Sequence, residues 1–395
     1  MKSILSAIFL ILLTFQISIA QWTPDTNGIG RMTERSIAVS GNNIFTGTFN
    51  AGVYLSTNNG TSWSQTSLNN QFVFSLAVNG SNVFAGTYGN GLFLSTNNGS
   101  TWSQPLLNQY VVSLAVSGNN IFAGVYYNGV YLSTNNGLTW SQTSLNNFDI
   151  YSLAVSGTNI IAGTALNGVY ISTNNGSNWT QTTLNNQTIQ SLLVNGNDIY
   201  AGTYYSAGIY KSTNNGATWN RNGLTNRSIY SFALYGNNII AGSDGYGVFV
   251  SSNNDTNWVQ RNEGLVGMER VYGLCILNNY IFAATDYSEY IRGLSEFIGI
   301  KQISEQVPGH FSLSQNYPNP FNPSTKIRFD IPKQALTRIT VFDILGREVK
   351  TLVNEELNAG KYEVDFNASA YSSGLYFYRI EAGDYVEVKK MVLVK

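Results

Sequence analysis

Short apolar runs alternate with glycine and asparagine turns along most of this chain, and the alternation itself repeats. One phrase reads S-L-A-V, then N-x-I-F-A-G-T, then G-V-Y-L-S-T-N-N-G, then T-W-S-Q, and its closing tryptophan stands at 63, 102, 140, 179, 219 and 258. The period is near 39 residues and persists to about residue 297. Each phrase holds four alternating or β-branched runs of strand length separated by turn residues, which predicts four short strands. Four strands per unit of about 40 residues is the pattern of a propeller blade. The first strand occurs seven times, at Ser36–Val39, Ser75–Val78, Ser113–Val116, Ser152–Val155, Ser191–Val194, Ser231–Leu234 and Gly273–Ile276. The tryptophan-bearing fourth strand follows six complete units, and Gln21-Trp22-Thr23 supplies the seventh copy. The chain therefore predicts an all-β, seven-bladed β-propeller whose N-terminal strand closes the last blade and leaves no free edge between the two ends.

Beyond about residue 298 the phrase stops and the charge density rises. Residues 310–395 carry 11 of the 21 Lys and Arg and 10 of the 22 Asp and Glu. Alternating runs at Lys326–Ile331, Arg338–Asp343, Gly360–Asn367, Gly374–Glu381 and Tyr385–Val394 predict a small Ig-like β-sandwich. Prolines 318, 320 and 323 keep its entry extended. At the other end, Lys2 precedes an apolar stretch from Ile4 to Ile19 that closes on Ser18-Ile19-Ala20, the order of a secretory leader cleaved after Ala20. Gln21 stands where a lipoprotein has cysteine. The expected organisation is a leader over 1–20, a propeller over 21–300, a linker over 301–310 and a second domain over 311–395. No later apolar run has the roughly 20 residues a membrane helix needs, so the mature chain is expected to lack a transmembrane segment and to be a monomer.

Composition narrows the chemistry. Charged residues are 11% of the chain, Cys275 is the one cysteine and His310 the one histidine. These counts remove Ser-His-Asp and Cys-His catalysis and histidine-ligated metal sites, so neither cofactor nor metal is expected. Residues 21–300 hold 8 basic and 11 acidic side chains, a balance that argues against nucleic acid. The turns between second and third strands carry Phe49, Tyr88, Tyr126, Tyr127, Tyr204, Tyr205, Tyr246 and Tyr287. Flat aromatics beside asparagines suit sugar rings or extended peptides, which makes these eight the ligand-binding candidates. Acidic residues gather where the ring closes: Glu34 beside Arg35, Glu269 beside Arg270, Asp286, and Asp244 one blade away. Paired carboxylates can act as acid and base on a glycoside, so Glu34, Glu269, Asp286 and Asp244 are the enzymatic alternative.

Two resemblances follow from quoted residues. The turn Ser56-Thr57-Asn58-Asn59-Gly60-Thr61-Ser62-Trp63 recurs at 95–102, 133–140, 172–179 and 212–219, and at 251–258 with Asp255 in place of the glycine. It resembles the Asp-box, or BNR repeat, of sialidases and several non-enzymatic propellers, with Asn where the family has Asp. The stretch from Phe311 through Asn316-Tyr-Pro-Asn-Pro-Phe-Asn-Pro-Ser-Thr325, with Val341-Phe-Asp-Ile-Leu-Gly-Arg-Glu-Val349 and Lys390-Met-Val-Leu-Val-Lys395, resembles the type IX (Por) secretion system C-terminal sorting domain, type A. That resemblance implies export to the surface of a Gram-negative bacterium, with the secretion machinery as partner. The propeller is then expected to bind a glycan or an extracellular protein.

Overall fold

The computed structural model describes residues 21–106, 108–236, 238–251, 258–267, 269–278, 280–297, 300–304, 306–369 and 371–395. The expected leader, and residues 252–257 with Asp255, lie outside them. Among the described residues the repeat folds into seven four-stranded antiparallel sheets. Sheet one is Glu34–Ser40, Asn43–Thr48, Val53–Ser56 and Ser64–Gln65. Five more follow in the same order, with inner strands Val73–Asn79, Val111–Ser117, Ile150–Ser156, Ile189–Asn195 and Ile229–Tyr235. Sheet seven is Val271–Leu277, Tyr280–Thr285 and Glu289–Gly293, completed by Thr23–Pro24 from the N-terminus, where Thr23 pairs with Ile291 and Pro24 with Tyr290. Inner strands touch their neighbours in cyclic succession, and Val271–Leu277 lies against Glu34–Ser40.

Neighbouring sheets approach closely because a glycine sits where they meet. In sheet one a Cβ at Gly47 would fall 2.5 Å from Ser36 Oγ and 2.5 Å from Val73 Cγ1 of sheet two. Gly86, Gly124, Gly163, Gly202 and Gly242 are packed in the same way under Ser75, Ser113, Ser152, Ser191 and Ser231. Four of these serines also bridge outward: Ser75, Ser152, Ser191 and Ser231 donate to the carbonyls of Val111, Ile189, Ile229 and Val271 in the next sheet. Sheet seven exchanges the two sizes, with Gly273 paired opposite Ala284. The number of β-carbons in the contact is thereby held constant.

In sheets one to five the serine-to-tryptophan turn closes the third-to-fourth connection by side chain. Ser56 Oγ accepts from Gly60 N–H (2.9 Å) and donates to Asn58 Oδ1 (2.9 Å), which accepts in turn from Ser62 N–H (3.0 Å). Asn59 and Gly60 have φ of 57° and 84°, left-handed values that asparagine and glycine tolerate best. The following tryptophan indole donates to the turn's own glycine carbonyl at Trp102, Trp140, Trp179 and Trp219. Trp102 packs against a cluster holding Phe45 of the preceding sheet, so the turn is part of the joint between sheets.

The C-terminal part is two further four-stranded sheets around one core. One orders Ile300–Ser304, Gly360–Asn367, Ser324–Ile331 and Ser312–Leu313; the other orders Glu348–Leu357, Ala335–Asp343, Gly374–Ala382 and Tyr385–Leu393. Ile327, Phe329 and Phe366 of the first meet Ile339, Val341 and Tyr378 of the second. Two expectations change here. Residues 301–304, read from sequence as linker, pair with Gly360–Asn367 as an edge strand. Glu348–Leu357 is a full strand absent from the alternating runs, because two register shifts against Ala335–Asp343 break its period of two.

Substituting Gly47→Ala should cost about 1–3 kcal/mol by overpacking. Adding Ser36→Gly, which recreates the pairing of sheet seven, should recover part of that loss. A double-mutant cycle by urea denaturation measures the coupling, and additive losses would contradict the account.

Candidate functional site

Each inner strand carries a register shift between its first and third residues, for example between Glu34 and Ser36. A bulge of this kind leaves its second residue unpaired and re-aims the side chain. The seven re-aimed residues are Arg35, Phe74, Val112, Tyr151, Gln190, Tyr230 and Tyr272, and all seven line one cavity of about 430 Å³. Tyr88, Tyr126, Tyr127 and Tyr204, from the second-to-third turns, complete its wall. The volume lies in the ordinary range of ligand pockets.

Eight of the eleven wall residues are aromatic, and their rings meet in three groups. Phe74 stacks on Tyr88 at 5.3 Å, Tyr126 meets Tyr151 at 5.7 Å, and Tyr204, Tyr230 and Tyr272 follow edge to face at 6.1 and 5.3 Å. The Tyr126 ring also meets Tyr127 edge to face at 4.1 Å. Burial raises the Tyr151 phenol, and burial with the Asp244 charge raises that of Tyr230, so both remain neutral donors. The guanidinium of Arg35 lies 4.0 Å from the Tyr272 ring centre, 5.0 Å from Phe74 and 5.5 Å from Phe49.

Four of the eight aromatic candidates, Tyr88, Tyr126, Tyr127 and Tyr204, are therefore cavity residues. The other four stand outside the wall. Phe49 is stacked on Phe72 at 4.9 Å, Tyr205 projects from beside Tyr204 and is 72% exposed, Tyr246 lies under Arg227 at 3.7 Å, and Tyr287 is exposed. Sequence reasoning passed over the inner-strand set. Its signal was the residue just before each S-L-A-V serine, but a bulge cannot be distinguished from plain alternation in a single strand.

The acidic candidates do not meet in this cavity. Asp244 is held by Arg270 Nε at 2.6 Å, and Asp286 Oδ1 accepts from Arg270 N–H at 3.1 Å. Glu269 is buried and accepts from the Tyr290 hydroxyl at 2.7 Å; burial raises its carboxyl. Glu34 is fully buried between sheets seven and one. Its partner there is Glu289, equally buried and not foreseen from sequence. At the six other junctions the same two positions are aliphatic pairs within one cluster: Val53 with Val73, Leu92 with Val111, Val130 with Ile150, Val169 with Ile189, Ile209 with Ile229, and Val248 with Val271. Burial pushes both glutamates well above the usual carboxylate range, and each is raised further by neighbouring negative charge. Nearby Asp25, which accepts from the Trp63 indole at 3.1 Å, is also raised by burial. Among the described residues no three His, Cys, Asp or Glu side chains gather as metal ligands would.

Closed succession of four-stranded sheets around a lined cavity defines an all-β, propeller-like protein, and solved structures agree on the fold. The WD40 β-propeller domain of Doa1 is 13% identical, covering 69% of this chain and 97% of its own, with a TM-score of 0.58. PorZ, an essential bacterial surface component of the type-IX secretion system of Porphyromonas gingivalis, is 15% identical over 94% of this chain and 60% of its own, with a TM-score of 0.60. The GH74 enzyme of Niastella koreensis is 18% identical over 78% of this chain and 59% of its own, with a TM-score of 0.55. At these identities the likeness is one of fold. No curated protein matches the sequence. Residues 315–395 match the secretion system C-terminal sorting domain. The chain is thus a protein exported by type IX secretion to the cell surface or extracellular space of a Gram-negative bacterium. No helix among the described residues is long and apolar enough to cross a membrane.

The seam sets a pH dependence. Raised native carboxyls contribute stability that is full below the ordinary glutamate value near 4.5 and is lost as pH rises through the native values. Thermal unfolding between about pH 5 and about pH 9 should show the melting temperature falling with pH. The double variant Glu34→Val with Glu289→Val, which copies the other six junctions, should melt higher at the alkaline end and with a shallower slope. A lower melting point there would refute the assignment.

Proposed function

We propose that this chain is a surface or secreted binding protein, not an enzyme, whose ligand seats in the aromatic cavity of a seven-bladed β-propeller. The seven sheets between Thr23 and Gly293 are its blades, and their turns are of the Asp-box type with Asn replacing Asp. The two C-terminal sheets form an Ig-like sandwich, which is the part read by the export machinery. The observation that carries the reading is the cavity wall. One residue from each inner strand faces one space, and tyrosine and phenylalanine dominate it. Such a wall offers stacking area and neutral hydroxyl donors at low entropic cost, as glycan and peptide binders do.

The enzymatic alternative, a glycoside hydrolase of Asp-box type, has a counterpart in the GH74 fold likeness. What weighs against it is the position of its carboxylates: Glu34 and Glu269 are buried in packing, and Asp244 and Asp286 are engaged by Arg270.

On a glycan array followed by calorimetry, Tyr151→Ala and Tyr204→Ala should each weaken binding by about ten- to thirtyfold. Asp286→Asn should leave affinity unchanged. Hydrolysis of an arrayed oligosaccharide by the purified chain, abolished by Glu34→Gln or Asp286→Asn, would replace binding with catalysis.

A further inference from the structure

Arg35 is the one cation among the eleven residues of the cavity wall. Its guanidinium is flanked by the rings of Tyr272, Phe74 and Phe49, which hold the plane but accept none of its N–H bonds. Its Nε is buried without a hydrogen-bond partner, and among the described residues no carboxylate lies within ion-pair distance of it. The acidic groups nearest the rim are engaged elsewhere: Asp149 accepts from Tyr127 N–H at 2.8 Å, and Asp244 holds Arg270. A partly desolvated fork of donors without an acceptor is costly unless a ligand supplies one. Around it stand phenol hydroxyls and the Gln190 amide, groups that match the hydroxyls of a pyranose, and aromatic faces that match its apolar side.

Building on the binding reading above, we propose that the cavity selects an acidic saccharide and that Arg35 takes the carboxylate of a uronic acid residue in a two-point hydrogen-bonded pair. Tyr272 and Phe74 flank the guanidinium in the cavity wall, so little side-chain freedom is lost on binding. A neutral saccharide of the same shape fills the space but leaves the fork unpaired.

The test is an array pairing uronate-containing oligosaccharides with their carboxyl-reduced counterparts, probed with the full chain, with Arg35→Gln and with Arg35→Lys. At least one uronate oligosaccharide should bind about ten- to hundredfold more tightly than its reduced form, the preference weakening as salt rises. Arg35→Gln should erase that preference while retaining affinity for the reduced form, and Arg35→Lys should fall between, since it keeps the charge and loses the fork. Melting curves of both variants check that the ring remains folded. Equal affinity for acidic and reduced forms, or a preference that survives Arg35→Gln, overturns the role of Arg35 and leaves saccharide binding standing. Preference for sulfated over carboxylated sugars overturns the uronate assignment. Absence of binding to any saccharide overturns both this proposal and the saccharide form of the binding reading.

Discussion

Adjacent sheets in this ring are joined at a contact that one of the partners makes without a side chain. The glycine of the second strand lets its own sheet's serine and the next sheet's valine or isoleucine close over the backbone, at distances that leave no space for a methyl group. Everything outside this contact depends on it. The spacing it sets brings the aliphatic pairs together, allows the serine hydroxyl to reach across, and keeps the tryptophan turn within reach of the preceding sheet. Exchange of the pair to Gly273 and Ala284 in sheet seven shows that volume is held there, not residue identity.

Because the contact is repeated, the ring can carry variation wherever packing does not use the side chain. The bulged second residue of each inner strand is such a place: seven sheets present Arg, Phe, Val, Tyr, Gln, Tyr and Tyr from equivalent backbones. Variation inside the joints is rarer and more consequential. The one junction between the two ends of the repeat replaces an aliphatic pair by two buried glutamates, and burial holds both carboxyls toward the protonated form. Ring closure is thereby the joint most sensitive to pH. The single thiol, Cys275, packs in the same region and is pushed up by burial.

The C-terminal sheets follow a different logic. Exposed Lys326 and Arg328 reach the buried Glu363 at 2.6 and 2.7 Å, while one apolar core spans both sheets. With one cysteine in the sequence, no disulfide joins two of its own residues, and sheet pairing, packing, side-chain hydrogen bonds and ion pairs hold each part.

Periodicity made much of this architecture legible in the chain itself. A unit that touches only its neighbours must satisfy the same contacts each time, so the phrase recurs, and Gln21-Trp22-Thr23 was recognisable as a misplaced fourth strand although Thr23 pairs with Ile291 far along the chain. The Asn-Gly turns were legible for a local reason, since their left-handed backbone demands those residues. Side-chain direction was not local. Tyr151 and Gln190 face the cavity because a bulge turns them, and Tyr246 and Tyr287 miss it although their turns look equivalent. Glu34 was legible only as one of the acidic residues gathered where the ring closes; the fold placed Glu289 beside it, more than 250 positions away, in a fully buried junction. Local backbone preference and nearest-neighbour packing are written in sequence order, whereas the meeting of distant side chains is decided by how the ring closes.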